Sequence, residues 1–201
     1  MQPDYVQILS WNDFGESHYI GPVRETSLEL FEWAKAPINY ASGMSHDGWR
    51  KFLPFYSELY KTGQVAYLEE NVMAYYRTAP ALACSSGGTT GNDKDHYQVE
   101  VAPQKLMEDA VFFAALLDSD EGVNVTVSIG DTQQAGEFTG VPAGGRGTPG
   151  VYTGSVPFGE NEGDVVVSVL RAEKLIALAT YGKQLLTTCE GKVQNWNAVA
   201  I

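Results

Sequence analysis

Residues 123–129 read "VNVTVSI" and indicate the fold of most of this 201-residue chain. Valine or isoleucine occupies every second position, and a polar residue lies between each pair. Because successive side chains of a strand point to opposite faces, this segment has one apolar and one polar face. Such alternation is typical of a half-buried strand in an antiparallel sheet.

Several other segments have the same β-branched and aromatic character. Glycine-rich turns separate them, notably "SSGGTTGND" at 85–93 and "PAGGRGTPG" at 142–150. Short strands joined by such turns predict an antiparallel β-sandwich over residues 67–201. The further strand candidates are residues 71–77, 97–101, 109–117, 164–171 and 174–180.

The first part of the chain has a different pattern, with one strand followed by a long loop and a helix. Residues 5–11, "YVQILSW", predict the strand. Residues 45–63 predict the helix because apolar side chains recur every three or four positions. We expect Pro54 to bend or break this helix and Gly63 to end it. A short helix is possible within residues 27–35.

A single β-α unit of this size cannot bury its apolar faces alone. The simplest host is a parallel barrel, in which this unit is the last one. The predicted domains are therefore the end of a (β/α)₈ barrel at residues 1–66 and the antiparallel β-sandwich at residues 67–201.

Two carboxylates, Asp13 and Glu16, lie just beyond the predicted strand, within "SWNDFGESHYIGP" at residues 10–22. Barrel enzymes carry catalytic groups where strands end, and Gly15 permits a turn that aims both carboxylates at one substrate. A carboxylate pair suits glycoside hydrolysis, in which one carboxyl protonates the leaving oxygen and the other activates water or attacks the sugar. The alternative is a solvated loop in which Asn12 or Asp13 holds a turn.

Four segments carry a resemblance to a known family: residues 5–22, 40–61, 74–83 and 195–198 ("NWNA"). In this order they resemble family 71 of the glycoside hydrolases, the fungal α-1,3-glucanases or mutanases. The resemblance implies a catalytic (β/α)₈ barrel followed by a β-sandwich, and cleavage of α-1,3-glucan with inversion of the anomeric centre. It also implies that the acidic pair of the motif W-N-D-x-G-E-S is Asp13 and Glu16.

For this chemistry we assign Glu16 as general acid and Asp13 as general base. Inverting pairs lie roughly 6.5–9.5 Å apart, and burial among aromatic side chains is the simplest way to raise the pKa of the acid. His46 and Asp47, near the start of segment 45–63, are two of the candidate sugar-binding residues. Their alternative role is helix capping. The substrate-binding candidates are Trp11, Asn12, His18, Tyr19, His46 and Asp47.

The expected partner is a polysaccharide, and no metal or organic cofactor is implied. The net charge is −12 and lysine and arginine form no cluster, which argues against nucleic acid or an anionic membrane as a partner. The family implies a secreted or cell-wall enzyme, although residues 1–20 lack a signal-peptide pattern. Because only the last unit of the barrel is recognised, we expect the chain to be a fragment that is inactive alone.

Another class of function is a non-catalytic module, either carbohydrate-binding or structural. The aromatic candidates for sugar binding on the β-rich part are Tyr75, Tyr76, Tyr97 and Tyr152, whose alternative role is packing between strands. His96 is predicted to lie on a surface loop.

The chain has two cysteines, Cys84 and Cys189, and both redox states remain open. Two free thiols fit an intracellular protein, and a single disulfide fits a secreted one.

Overall fold

The computed structural model describes residues 3–64, 69–84, 105–189 and 193–201. The strand candidate at 97–101 and the turn at 85–93 lie outside these residues, as do His96 and Tyr97. None of the helices in the described part of the chain is long and apolar enough to span a membrane.

Within the described residues, eight strands form two antiparallel sheets of four strands each. The strands are β1 (Asn71–Arg77), β2 (Ala110–Leu117), β3 (Val123–Ile129), β4 (Thr132–Gly136), β5 (Gly150–Pro157), β6 (Val165–Arg171), β7 (Lys174–Ala179) and β8 (Ala198–Ala200). The strand order is β5-β2-β1-β8 in one sheet and β4-β3-β6-β7 in the other. The strand predictions for β1, β2, β3, β6 and β7 are confirmed to within one residue, whereas β4, β5 and β8 were not predicted.

The main core lies between the two sheets. Alternate side chains of strands such as β3, β5 and β6 point into it, and Val125 and Val127 of β3 and Val72 of β1 are all buried there. Burying such a side chain contributes about 1.5–3 kcal/mol, so the inward faces of the strands supply most of the driving force for folding.

In the part of the chain that the structure describes, three short helices and a 3₁₀ turn precede the sheets. They are a 3₁₀ turn at Glu25–Ser27, α1 (Leu30–Trp33), α2 (Asp47–Lys51) and α3 (Leu53–Thr62). The helix predicted over residues 45–63 is divided at Phe52, and Pro54 lies in the first turn of α3, where its missing N–H is not needed. Gly63 ends α3 with a φ of 70°. The predictions for Pro54 and Gly63 are confirmed.

Residues 5–11 belong to no strand in this structure, although the sequence predicts one there. The apolar side chains of this segment are exposed: Tyr5, Val6, Ile8, Leu9 and Trp11. A strand forms only where a neighbour accepts its backbone hydrogen bonds. Within the described residues, the strand pairs involve only β1 to β8.

Residues 14–63 nevertheless pack against the sandwich. A second cluster holds Phe14, Tyr19 and Phe31. Helix α2 approaches the C-terminal residue closely, because a Cβ on Gly48 would lie only 2.7 Å from the carbonyl oxygen of Ile201. The absence of a side chain at Gly48 therefore permits the docking of α2 on the last residues of the chain.

Cys84 and Cys189 form a disulfide, with a Cα–Cα distance of 6.0 Å. This separation lies in the usual range for disulfides. Of the two redox states that the sequence leaves open, the structure has the oxidised one.

Candidate functional site

Residues 10–21, here called the carboxylate loop, are closed at the base by backbone hydrogen bonds. The N–H of Ser10 donates to the His18 carbonyl (3.0 Å), Ile20 donates to Ser10 (2.9 Å) and Gly21 donates to Trp11 (2.8 Å). A Cβ on Gly21 would collide with the Trp11 carbonyl oxygen, so glycine is required where the two sides of the loop meet.

Inside the loop, Asp13 holds the turn. Its backbone N–H donates to the Ser10 hydroxyl at 2.9 Å, and its carboxylate accepts from the N–H of Glu16 at 3.2 Å. This is the turn-forming role that the sequence offers as an alternative to catalysis, and the two roles are compatible. The turn contains Gly15, and its positive φ lies at Ser17 (61°).

His18 joins the two carboxylates. Its Nε2 lies 2.8 Å from Oε2 of Glu16 and 3.6 Å from Oδ2 of Asp13. One oxygen of each carboxylate and a ring nitrogen of His18 all lie within 4.8 Å of one another. The hydrogen bond to Glu16, followed by the charges of both carboxylates, raises the pKa of His18.

The carboxylate oxygens are closer here than the roughly 6.5–9.5 Å that separates an inverting pair. The imidazole of His18 lies close to both, and its Nε2 is nearer to Glu16 than to Asp13. The Glu16 side chain is 74% exposed, whereas the sequence predicts burial among aromatic side chains for the general acid. Trp11 and Asn12, which directly precede Asp13 in the loop, are also exposed.

The same three side chains are a grouping that could hold a metal ion, judged from the distances between their donor atoms. Exposed acidic groups are common on proteins without a bound ion, and the sequence predicts no metal here.

Tyr19 and His46 were predicted to bind substrate, but both side chains are fully buried. Their rings stack with centroids 3.9 Å apart and planes inclined by 5°. Nδ1 of His46 lies 2.6 Å from the Tyr19 carbonyl oxygen, and Nε2 lies 2.7 Å from the carbonyl oxygen of Ala198 in β8. Burial lowers the pKa of His46, although these acceptors oppose the effect.

Asn197 completes this buried network. Its Oδ1 lies 3.0 Å from Nε2 of His46, and its Nδ2 donates to the Tyr19 hydroxyl at 3.1 Å. The Tyr19 hydroxyl in turn donates to the carbonyl of Met44 at 2.5 Å. Burial raises the pKa of Tyr19 to about 12, so the phenol is neutral and remains a donor. The network ties the carboxylate loop to the C-terminal strand.

Two further side chains support the loop from outside. The Tyr40 hydroxyl donates to the carbonyl of Gly15, and Arg50 donates to the carbonyl of Ile20 at 2.8 Å. Asn197 also donates to the Tyr40 carbonyl at 3.0 Å. The roles of Tyr40 and Arg50 were not predicted, and the only sequence signal for Asn197 is its place in "NWNA".

Asp47 lies at the start of α2. Its carboxylate pairs with Arg50 at 2.7 Å and is half exposed. Its backbone N–H donates to the Ser45 hydroxyl at 3.1 Å. Asp47 is therefore accessible to a ligand, unlike its neighbour His46.

Comparison with known proteins identifies the family. The model of glycosyl hydrolase family 71 matches residues 1–201. The chain belongs to this family. The recognition of family 71 from the four sequence segments is confirmed.

Named relatives match parts of the chain. A mutanase of Penicillium rubens is 33% identical over 123 residues, which are 59% of this chain and 24% of that protein. Glucan endo-1,3-alpha-glucosidase agn1 of Schizosaccharomyces pombe is 32% identical over 164 residues, which are 78% of this chain and 33% of that protein. The match to each relative thus covers a third of its length or less. No solved structure matches the chain.

Proposed function

We propose that this chain is part of an enzyme that hydrolyses the α-1,3-glucosidic bonds of α-1,3-glucan from within the polymer. The observation that carries the proposal is the carboxylate loop, where Asp13 and Glu16 lie together on an exposed surface. Membership of family 71 and 32% identity to a glucan endo-1,3-alpha-glucosidase support the choice of substrate.

In the proposed mechanism Glu16 protonates the glycosidic oxygen and Asp13 activates a water molecule. Inversion places this water between the base and the anomeric carbon, on the face opposite to the leaving group. The imidazole of His18 now occupies the gap between the carboxylates. When His18 moves away from Asp13, the two carboxylates separate and the water gains its position.

The accessible candidates for sugar contacts are Trp11, Asn12, His18 and Asp47. The indole of Trp11 offers a flat face on which a sugar ring can stack. For the buried Tyr19 and His46 we propose a positioning role, in which they fix the backbone of the carboxylate loop against β8.

We further propose that residues 1–66 are the end of a (β/α)₈ barrel and that residues 67–201 are the sandwich domain. The short match to each relative supports the view that this chain is a fragment of a longer enzyme. The exposed apolar side chains of residues 5–11 support a place for this segment as the last barrel strand. One groove, lined by Val6, Ile8, Leu53 and Tyr56, joins that segment to α3 and offers an apolar face to the rest of a barrel.

A secreted or cell-wall location follows from the substrate, and the Cys84–Cys189 disulfide supports it, because disulfides persist in oxidising compartments.

The test is a glucanase chimera, in which this chain replaces the matched segment of the S. pombe relative. We expect Asp13→Asn and Glu16→Gln each to lower its kcat by about 10²–10⁴-fold, the usual contribution of general acid–base catalysis. The unfolding midpoint is expected to stay unchanged, because both side chains are at least partly exposed. Asp4→Asn, in an exposed segment outside the loop, is the matched control. Turnover near that of the control in either variant would remove that residue from the mechanism.

A further inference from the structure

Tyr181 has an unusual backbone and an unusual exposure. Its side chain is 97% exposed, and its φ is 66°. A non-glycine residue in this left-handed region costs roughly 1–2 kcal/mol, and an aromatic one is rare there. Strained residues that persist on a surface are often found at functional sites.

The segment after Tyr181 is firmly anchored. A Cβ on Gly182 would lie 3.1 Å from the Ile201 side chain, and the Tyr76 hydroxyl donates to the carbonyl of Lys183 at 2.8 Å. Leu185 then exchanges backbone hydrogen bonds with Gly163 at 2.7 and 2.9 Å. The exposed ring is therefore carried by a rigid segment and not by a loose loop.

The same segment forms one wall of a cleft of about 560 Å³ between the sandwich and residues 37–42. This volume lies within the usual range for ligand sites. Most of its polar lining is amide, hydroxyl or lysine: Asn39, Ser42, Thr78, Lys183, Gln184 and Asn195. Among the described residues that line it there is no carboxylate, although the chain carries a net charge of −12.

We propose that Tyr181 and this cleft form a second glucan-binding site, separate from the carboxylate loop. The phenol ring supplies a face for stacking on a sugar ring, and the amides, hydroxyls and lysine supply hydrogen bonds to sugar hydroxyls. A hydrogen-bonding lining, in which Lys183 is the only charged side chain among the described residues, favours a polyhydroxylated chain, and the choice of α-1,3-glucan rests on the proposed function.

The tyrosines predicted to bind sugar from the β-rich part do not offer such a face. Tyr76 and Tyr152 are buried in the core. Tyr75 stacks on Phe112, with ring centroids 5.2 Å apart, and Tyr97 lies outside the described residues. Tyr181 is the tyrosine of the described β-rich part whose ring is almost entirely accessible.

The test measures binding of the 201-residue chain to insoluble α-1,3-glucan by depletion from solution, and to α-1,3-linked oligosaccharides by NMR titration. We expect Tyr181→Ala to weaken binding about tenfold or more, and Tyr181→Trp to retain it, because loss of one stacked ring is worth roughly 1.4 kcal/mol. We expect Lys183→Met, which removes a donor from the cleft, to weaken binding as well. Tyr5→Ala is the matched control, since Tyr5 is 92% exposed elsewhere on the chain. Unfolding midpoints establish that each variant is folded.

Absence of binding by the unsubstituted chain would overturn the proposal, as would equal effects of Tyr181→Ala and Tyr5→Ala. An inactive glucanase chimera with intact Tyr181-dependent binding would contradict the proposed function alone. An active chimera without Tyr181-dependent binding would contradict the second site alone.

Discussion

At the scale of the residue, the two histidines near the carboxylates respond to pH in opposite directions. His18 is exposed beside two carboxylates, and its pKa is raised by the hydrogen bond to Glu16. His46 is buried, and its pKa is lowered by desolvation. The pKa of His18 therefore depends on the geometry of the carboxylate loop, and the pKa of His46 depends on the packing beneath that loop.

We expect Glu16→Gln to bring the pKa of His18 down towards its ordinary value of about 6.5, because the amide cannot supply the negative charge. Asp47→Asn, which removes a carboxylate outside the loop, is expected to leave it unchanged. The measurement is an NMR titration of the His18 ring protons. An unshifted titration in Glu16→Gln would show that His18 and Glu16 are not paired in solution.

His46 makes the folded state less stable in acid. Because its pKa is lower in the folded chain than in the unfolded chain, the unfolded state binds more protons, and stability falls as pH drops below about 6.5. We expect His46→Gln to lower the free energy of unfolding by about 1–3 kcal/mol at pH 8, and by less at pH 5.

The measurement is urea unfolding at both pH values. Tyr152→Phe is the control. It removes a hydroxyl that donates to the Thr148 carbonyl at 2.7 Å, and it leaves every histidine in place. Equal losses at pH 8 and pH 5 in His46→Gln would show that the histidine does not titrate on unfolding.

The sequence predicts the acidic pair but not the buried side chains that hold its loop in place. Asp13 and Glu16 are brought together by a local turn, so a motif of a few residues is sufficient to find them. The contact between Asn197 and Tyr19 joins residues 178 positions apart, and such long-range contacts have no local pattern. The burial of Tyr19 and His46 depends on this contact and could not be predicted for the same reason.

At the scale of the element, the periodicity of apolar residues was enough to predict a strand wherever apolar residues occupy alternate positions. It failed for β5, which contains Gly150 and Gly154, since glycine weakens a strand pattern. Gly154 is needed because a Cβ there would collide with the ring of Phe113 in the neighbouring strand. Tertiary packing thus selects a residue that local propensity disfavours.

The disulfide joins the segments that flank the sheet. It closes a loop of 105 residues between Cys84 and Cys189. The chain-entropy estimate for a loop of this length is about 4–5 kcal/mol. We therefore expect Cys84→Ser with Cys189→Ser to lower the free energy of unfolding by up to about this amount, measured by urea denaturation.

Thiol titration of the native and denatured protein is the direct check of this bond. The structure predicts no reactive thiol in either state before reduction. Two titratable thiols in the denatured, unreduced protein would contradict the disulfide.

At the scale of the whole molecule, the first part of the chain is docked on the sandwich over residues 14–63. The buried network of Tyr19, His46 and Asn197 makes the C-terminal strand a support for the carboxylate loop. The segment 5–11 differs, because its apolar side chains face solvent. We infer that the described residues hold the carboxylates in place, and we propose that the rest of a barrel supplies the facing wall of the substrate cleft.

The most direct test is release of reducing sugar from insoluble α-1,3-glucan, compared between the isolated 201-residue chain and the glucanase chimera. We expect release by the chimera, and for the isolated chain no release above that of its Asp13→Asn, Glu16→Gln double variant. Release by the isolated chain above this control would show that it builds a working site by itself. A folded chimera that releases no sugar would contradict the assignment of this chain to α-1,3-glucan hydrolysis.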